Sequence, residues 1–382
     1  MRILVISCQA FSLIQFRMDM MKAFLSEGHE VVAAAPDCKA EYEKLFRDSN
    51  IQYHSIQLER NGYNIIKDII GLLSILKMIK DVRPDLVFCY QAKAVIYGSL
   101  AAHIAGIKGI YVLIAGLGSI YRCNISSIKH EILKKILTIE YTYALKCAKS
   151  VFFQNTDDAN VFLNKGIVDN DKIELLNGSG VNLEHFKPSP IPDEKRFLFI
   201  GRLIRDKGLI EYLEAAKQIK MKFPETIFDV IGYYDTNPSA LTEKELQPYF
   251  ETGIANYLGK QDDVFPYLSR CYAYILPSYH EGTPKTVLEA MAVGRPIITT
   301  DAPGCRETVQ HDVNGFLVPV RNVDELVKRI HFLIKHPDDA KRMGEASLQK
   351  VREKYDVQLV NKNLIRVMNI NHADGGVSNV AI

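Results

Sequence analysis

Two glutamates stand close together in a stretch whose local chemistry suits an anionic, hydroxyl-bearing ligand: Ser278-Tyr279-His280-Glu281-Gly282-Thr283-Pro284-Lys285-Thr286-Val287-Leu288-Glu289. The apolar run Tyr274-Ile275-Leu276 ahead of it reads as a buried parallel strand, which Pro277 stops. Pro284 suits the first helical position and Thr283 the N-cap before it. The amides of Lys285 and Thr286 are then expected to face out of a positive helix end, a setting that attracts phosphate. Glu289 has Val287, Leu288, Ala290 and Met291 around it, and a helix apolar on nearly all sides is buried. A buried carboxylate needs donors. A vicinal diol, such as a ribose edge, would supply them; a structural ion pair or a narrow solvated face would also account for the residue.

A second charged stretch, Gly201-Arg202-Leu203-Ile204-Arg205-Asp206-Lys207-Gly208, directly follows the apolar run Phe197 to Ile200. Gly201 lets a ligand approach the backbone closely. Arg202 and Lys207 could place two cations on one diphosphate, the arginine as a bidentate fork and the lysine as a point charge. Taken alone, the same loop reads first as a solvated basic turn. Other chemistries find less support. No Gly-x-Ser-x-Gly or Walker motif is present. Asp169-Asn170-Asp171 has the Asp-x-Asp spacing of a metal-binding pair, but it lies in a polar loop far from the strand ends chosen here, so chance accounts for it.

These residues must be held by strands. Ile3 to Ile6, Val31 to Ala35, Ile51 to Ile56, Leu86 to Phe88, Ile110 to Ile114 and Val151 to Phe153 read as strands with helical patterns between most of them. Gly28 closes the helix of Ile14 to Leu25. The pattern breaks at the Gly- and Pro-rich stretch Asn177 to Pro192. It restarts with Phe197 to Ile200, Ile227 to Ile231, Tyr257-Leu258, Tyr274 to Leu276 and Ile297 to Thr299. Strands alternating with helices imply right-handed βαβ units and parallel sheets, so the fold class is α/β with two doubly wound, Rossmann-like domains. The expected boundaries are residues 1–188, 189–357 and 358–382, the last a helix returning to the first domain and, from Ala373, a frayed tail. Such sheets bind ligands at the carboxyl ends of their strands. A cleft between the two domains is the expected site.

Composition narrows the class further. A chain of 382 residues with 47% hydrophobic and 24% charged residues can bury two proper cores. A net charge of +2 argues against a dedicated nucleic-acid binder. The seven cysteines lack paired C-x-x-C spacing, which fits reduced thiols in a cytoplasmic protein. The N-terminal apolar run is too short for a signal peptide, and Ile69 to Ile79 is too short and too interrupted to span a bilayer.

Glu281-x7-Glu289, after a strand and a Ser-x-x-Glu-Gly loop, resembles the signature of glycosyltransferase family 4, the retaining family with the GT-B fold. The resemblance covers nearly the whole chain. It implies that Glu281 contacts the donor sugar and Glu289 the nucleotide ribose, with His280, Gly282, Thr283, Lys285 and Thr286 around them. Gly201 to Gly208 is similar to the family's Gly-Arg-Leu-x-x-x-Lys-Gly loop, which gives Arg202 and Lys207 to the leaving diphosphate. Leu258-Gly259-Lys260-Gln261 stands where the family reads the base, mainly with backbone. The resemblance implies no metal and no cofactor, the nucleotide sugar being a substrate.

The branch is indicated by Gly304-Cys305-Arg306-Glu307, by Gly116-Leu117-Gly118-Ser119 and by Phe16-Arg17, which resemble transferases that extend polyprenyl-diphosphate-linked sugars. Gly180 to Pro188 resembles the interdomain stretch. From this branch follow a nucleotide-diphosphate sugar donor, UDP-linked and carrying N-acetylhexosamine or hexose, and a polyprenyl-diphosphate-linked acceptor in O-antigen lipopolysaccharide, capsule or protein-glycan assembly. Gly116, Gly118 and Arg17 are the acceptor-side candidates, Arg17 being either a diphosphate ligand or a plain surface arginine. There are departures. Gln9-Ala10-Phe11-Ser12 replaces a common Gly-Gly loop, and Ala115 to Gly118 stands where many members carry a histidine, so no first-domain catalytic histidine is assigned. A GT-B sugar-nucleotide epimerase or hydrolase shares this cleft, and a retired binding protein would lack Glu281, Lys207 or Arg202.

The implied acceptor places the protein at the inner face of the cytoplasmic membrane, as a peripheral protein on an anionic surface. The expected contact combines Ile65 to Ile79, with Lys67, Lys77, Lys80 and Arg83 around it, and the basic stretch of Arg122, Lys129, Lys134, Lys135, Lys146 and Lys149. An amphipathic core helix beside a solvated basic helix would give the same pattern.

Overall fold

The computed structural model describes residues 1–37, 39–59, 62–118, 121, 127–236 and 239–371. Two compact units emerge, Met1–Ser179 with Val360–Ile382, and Gly180–Leu359. The first unit's sheet has strands β1 (Arg2–Ile6), β2 (Glu30–Ala35), β3 (Gln52–Ser55), β4 (Leu86–Tyr90), β5 (Gly109–Ile114), β6 (Ser150–Phe153) and β7 (Ile173–Leu175) in the order β3-β2-β1-β4-β5-β6-β7. The second unit's sheet has β8 (Arg196–Ile200), β9 (Ile227–Ile231), β10 (Asn256–Tyr257), β11 (Ala273–Leu276), β12 (Ile297–Thr300) and β13 (Gly315–Val318) in the order β10-β9-β8-β11-β12-β13. All pairings within both sheets are parallel. In each sheet the strand order reverses once, between β1 and β4 and between β8 and β11. The loops leaving those strands part there, which is where such sheets take ligands.

Strand burial explains the nearly unbroken apolar runs. Ile3, Leu4, Val5 and Ile6 are fully buried, as are Tyr274, Ile275 and Leu276, because helices cover both faces of each sheet. In the first unit the helices are α1 (Ala10–Ser26), α2 (Ala40–Asp48), α3 (Ile65–Val82), α4 (Ser99–Ile104), α5 (Ile128–Cys147) and α6 (Thr156–Asn164). In the second unit they include α7 (Leu209–Lys222), α8 (Glu243–Glu251), α9 (Phe265–Leu268), α10 (Lys285–Ala292), α11 (Val323–Lys335) and α12 (Pro337–Lys354). The last helix, α13 (Val357–Met368), leaves the second unit and joins the first: Tyr111 Oη donates to Met368 O at 2.9 Å, and His29 Nε2 lies 2.7 Å from Ile370 O. The expected tail from Ala373 lies outside the described residues.

Three expectations differ from the structure. The second unit begins at Gly180 rather than after Pro188, because Val181 bridges Asp356 and Phe186 joins the second core. Strands β7 and β13 were not anticipated. β7 is a three-residue edge strand only half buried, and β13 opens on Gly315, whose missing Cβ lets Ile297 O approach. Pro284, with extended ψ of 107°, is the N-cap of α10, and Lys285 is its first residue, so Thr283 lies one position before the cap.

Candidate active site

The second unit's switch point is assembled from three interlocked loops. Ser278 follows β11 and is fully buried; its Oγ donates to Asp206 O at 3.1 Å, and Tyr279 N donates to the same oxygen at 2.8 Å. Gly208, at φ +71°, closes the loop after β8 against Pro277 O, which would stand 2.0 Å from an added Cβ. Beyond β12, Gly304 at φ +79° does the same, with Glu281 O 2.2 Å from where its Cβ would be, and Glu281 N donates to Pro303 O at 2.9 Å. Glu281 is thus fixed by backbone on both sides.

This clamp brings Lys207 and Glu281 together. Lys207 Nζ donates to Glu281 Oε1 at 2.5 Å, with side chains 19% and 12% exposed. The pair is too buried to be a surface ornament and open enough for a ligand to reach. An ammonium has three donors, so this bond uses only part of its capacity. Arg202 Nη1 donates to Asp235 Oδ2 at 2.7 Å, on the loop after β9, which orients the guanidinium. Sequence reasoning did not identify Asp235.

Glu289 lies in the second turn of α10, 7% exposed. Burial pushes its pKa up to about 7, against the pull of Lys285, whose Nζ is 3.8 Å away, and of His185. The neighbouring charges include His185, which lies 3.0 Å from Asp263. His185 belongs to the stretch read as interdomain, and nothing local in the sequence marked it as a neighbour of Glu289. The amides of Lys285 and Thr286 precede the ladder that starts at Pro284 O, accepting from Val287 N at 3.0 Å, and so point from the positive end of α10. The buried Tyr274 hydroxyl lies 2.7 Å from Thr286 Oγ1 and ties that end to β11.

His280, Gly282 and Thr283 are half-buried in the same loop. Gly201 N donates to Ile231 O at 3.0 Å and Gly232 N to Gly259 O at 3.0 Å, which joins the loops after β8, β9 and β10. Lys260 follows on the last of these as an exposed residue 3.6 Å from Asp262. Cys305 is buried, and its thiol is pushed up to about 12 by that burial, which suits a packing residue rather than a nucleophile. Asp169 to Asp171 stand at an exposed turn, away from any strand's carboxyl end.

The first unit's switch point has a different character. Ser7 Oγ donates to Gln91 Oε1 at 2.9 Å, Gln91 Nε2 to Ser12 Oγ at 3.0 Å, and Tyr90 Oη to Ser12 Oγ at 2.6 Å. Arg17 is not a surface arginine: it is 4% exposed, its guanidinium lies over the Tyr90 ring at 4.9 Å, and its Nε has no partner among the described residues. Burial lowers its pKa, and Tyr90 opposes this. Gly116 and Gly118 follow β5 at φ +145° and +71°. Ser119 and Arg122 lie outside the described residues. Away from these loops, α3 and α5 turn isoleucines outward, Ile65 and Ile128 being 75% and 81% exposed. Among the described residues no helix is long and apolar enough to cross a membrane.

Residues 4–155 match the family model Glycosyl transferase 4-like, and residues 181–350 match Glycosyl transferases group 1. The chain is 27% identical, over 96% of its length and 98% of the relative's, to N,N'-diacetylbacillosaminyl-diphospho-undecaprenol alpha-1,3-N-acetylgalactosaminyltransferase of Campylobacter jejuni. It is 26% identical, over 77% of each chain, to UDP-Gal:alpha-D-GlcNAc-diphosphoundecaprenol alpha-1,3-galactosyltransferase of Escherichia coli. Among solved structures, Anabaena HepE in complex with UDP superposes with a TM-score of 0.77 at 18% identity, covering 97% of this chain and 100% of that one. Sucrose-phosphate synthase of Thermosynechococcus elongatus superposes with a TM-score of 0.79 at 17% identity, covering 96% and 98%. The shared architecture is GT-B.

Proposed function

We propose that this chain of GT-B fold, whose residues 4–155 match the Glycosyl transferase 4-like model and residues 181–350 the Glycosyl transferases group 1 model, transfers N-acetylhexosamine or hexose from a UDP-sugar to a polyprenyl-diphosphate-linked glycan with retention at the anomeric carbon. The observation that carries the reading is the Lys207–Glu281 pair, held at 2.5 Å at the second switch point, on the loop after β8 that also carries Arg202. Cleavage of the anomeric C–O bond builds negative charge on the leaving diphosphate. Lys207, Arg202 and the first amides of α10 are the groups that stabilise it, a preorganised electrostatic term of the kind that dominates such reactions. These cations and amides do the work a metal ion would otherwise do. Glu281 orients the sugar hydroxyls. Glu289 accepts from the ribose, with Gly201 and the Lys260 loop around the rest of the nucleotide.

The acceptor is assigned to the first unit. Both relatives described above are named for undecaprenol-linked sugar diphosphates, and that supports the same acceptor class here, at the cytoplasmic face of the membrane. Arg17 is its cationic neighbour at the first switch point, with Gly116 and Gly118 on the next loop. The test is a panel of UDP- and GDP-sugars offered with a short-chain polyprenyl-diphosphate-sugar, with and without EDTA. Acceptor-dependent transfer from a UDP-sugar, insensitive to EDTA, is expected. Donor hydrolysis or epimerisation without any acceptor would instead place the chain with the GT-B epimerases.

A further inference from the structure

In the first unit, α3 and α5 both pack on the helical turn Ala94–Gly98 and leave between them a groove of about 440 Å³. Ile65 and Ile69 form one wall, Ile132 and Ile136 the other. Its inner end is polar but closed upon itself. Lys93 Nζ lies 2.5 Å from Asp68 Oδ1, both nearly buried, and Glu140 accepts from Tyr97 Oη at 3.0 Å and Tyr63 Oη at 3.4 Å. Two carboxylates against one ammonium make this floor acidic, while Lys129 stands at the rim.

Three properties select an occupant. Contiguous exposed aliphatic surface marks a binding face. The walls are isoleucine and leucine, without Trp or Arg anchors, and the two tyrosines of the lining, Tyr63 and Tyr97, spend their hydroxyls on Glu140. An acidic floor repels an anionic headgroup, whereas Lys129 at the rim attracts one. The groove therefore suits a branched hydrocarbon chain whose anionic head stays outside. We infer that it holds the isoprenoid tail of the polyprenyl-diphosphate acceptor. This rests on the acceptor class proposed above.

The test uses the purified full-length chain and a polyprenyl diphosphate carrying a diazirine in its first isoprene units, with adducts mapped by mass spectrometry. Adducts on residues 65–72 and 129–136 are expected. Ile69→Ser/Ile136→Ser should cut this labelling, and the kinetic preference for a long-tailed over a tail-less acceptor, by about tenfold. Adducts elsewhere, or labelling unchanged in the double variant, would overturn the assignment. So would a wild-type dimer that the double variant dissociates, since the groove would then belong to a second copy or a protein partner. If adducts map to the groove but no sugar reaches any lipid diphosphate, the groove stands and the proposed reaction fails.

Discussion

The two switch points are built on the same strand order and hold opposite chemistry. At the second, two cations each meet a carboxylate, Lys207 with Glu281 and Arg202 with Asp235, on loops locked by glycines that admit no Cβ. At the first, Ser7, Ser12, Tyr90 and Gln91 form a neutral hydrogen-bond network, and Arg17 is buried against the Tyr90 ring. The shared order of the first six strands positions loops; the residues on them decide whether the position stabilises developing charge or orders a backbone. The comparison is the ground for the proposal that charge on the leaving diphosphate is stabilised by the second unit.

The largest expected effect follows directly. Lys207→Ala and Arg202→Ala are each expected to lower kcat/KM by about 10²–10³, the usual loss when a preorganised donor at developing charge is removed. Steady-state kinetics check this, and near-normal values in both variants would remove the loop from the mechanism.

Next comes rigidity. Gly208→Ala and Gly304→Ala combine positive φ with a direct backbone clash, whereas Gly118→Ala in the first unit meets the same φ but nothing within 4 Å. The first two are expected to cost at least about 3 kcal/mol and the third about 1 kcal/mol, read as shifts of the thermal midpoint. Equal losses would show that the second unit's loops are no more tightly clamped than the first's.

That clamp is also where sequence reading stopped. Buried strands such as Ile3 to Ile6 and Tyr274 to Leu276 announced themselves by continuous apolar runs, and the charged residues stood out by type and spacing. Strand β7 gave too short an alternation, and the glycine opening β13 reads as a turn. The partners were invisible for a different reason. Lys207 meets Glu281, Arg202 meets Asp235 and Arg17 meets Tyr90 only through the crossing of strands far apart in the chain, and no local pattern encodes those distances.

A smaller effect concerns Glu289. In the folded chain it holds its proton up to about pH 7 and in the unfolded chain only to the ordinary carboxylate range near 4.5. The folded state thus binds more protons within that window, and stability falls as pH rises through it. Glu289→Gln lacks this loss, so its thermal midpoint should gain on the wild type from about pH 4.5 to about pH 7. A ribose diol donates to the ionised form, so UDP affinity of the wild type should grow from pH 6 to pH 8 and stay flat in Glu289→Gln. A flat wild-type profile would mean that Glu289 does not receive the ribose.

The division of labour itself is tested most directly by calorimetric titration of UDP into the wild type, Lys207→Ala and Arg17→Met. Affinity should fall about tenfold in Lys207→Ala, as expected for the loss of one charge-assisted contact, and should be unchanged in Arg17→Met. If Arg17→Met, still folded, loses UDP as severely as Lys207→Ala, the donor is not held by the second unit alone and the account fails.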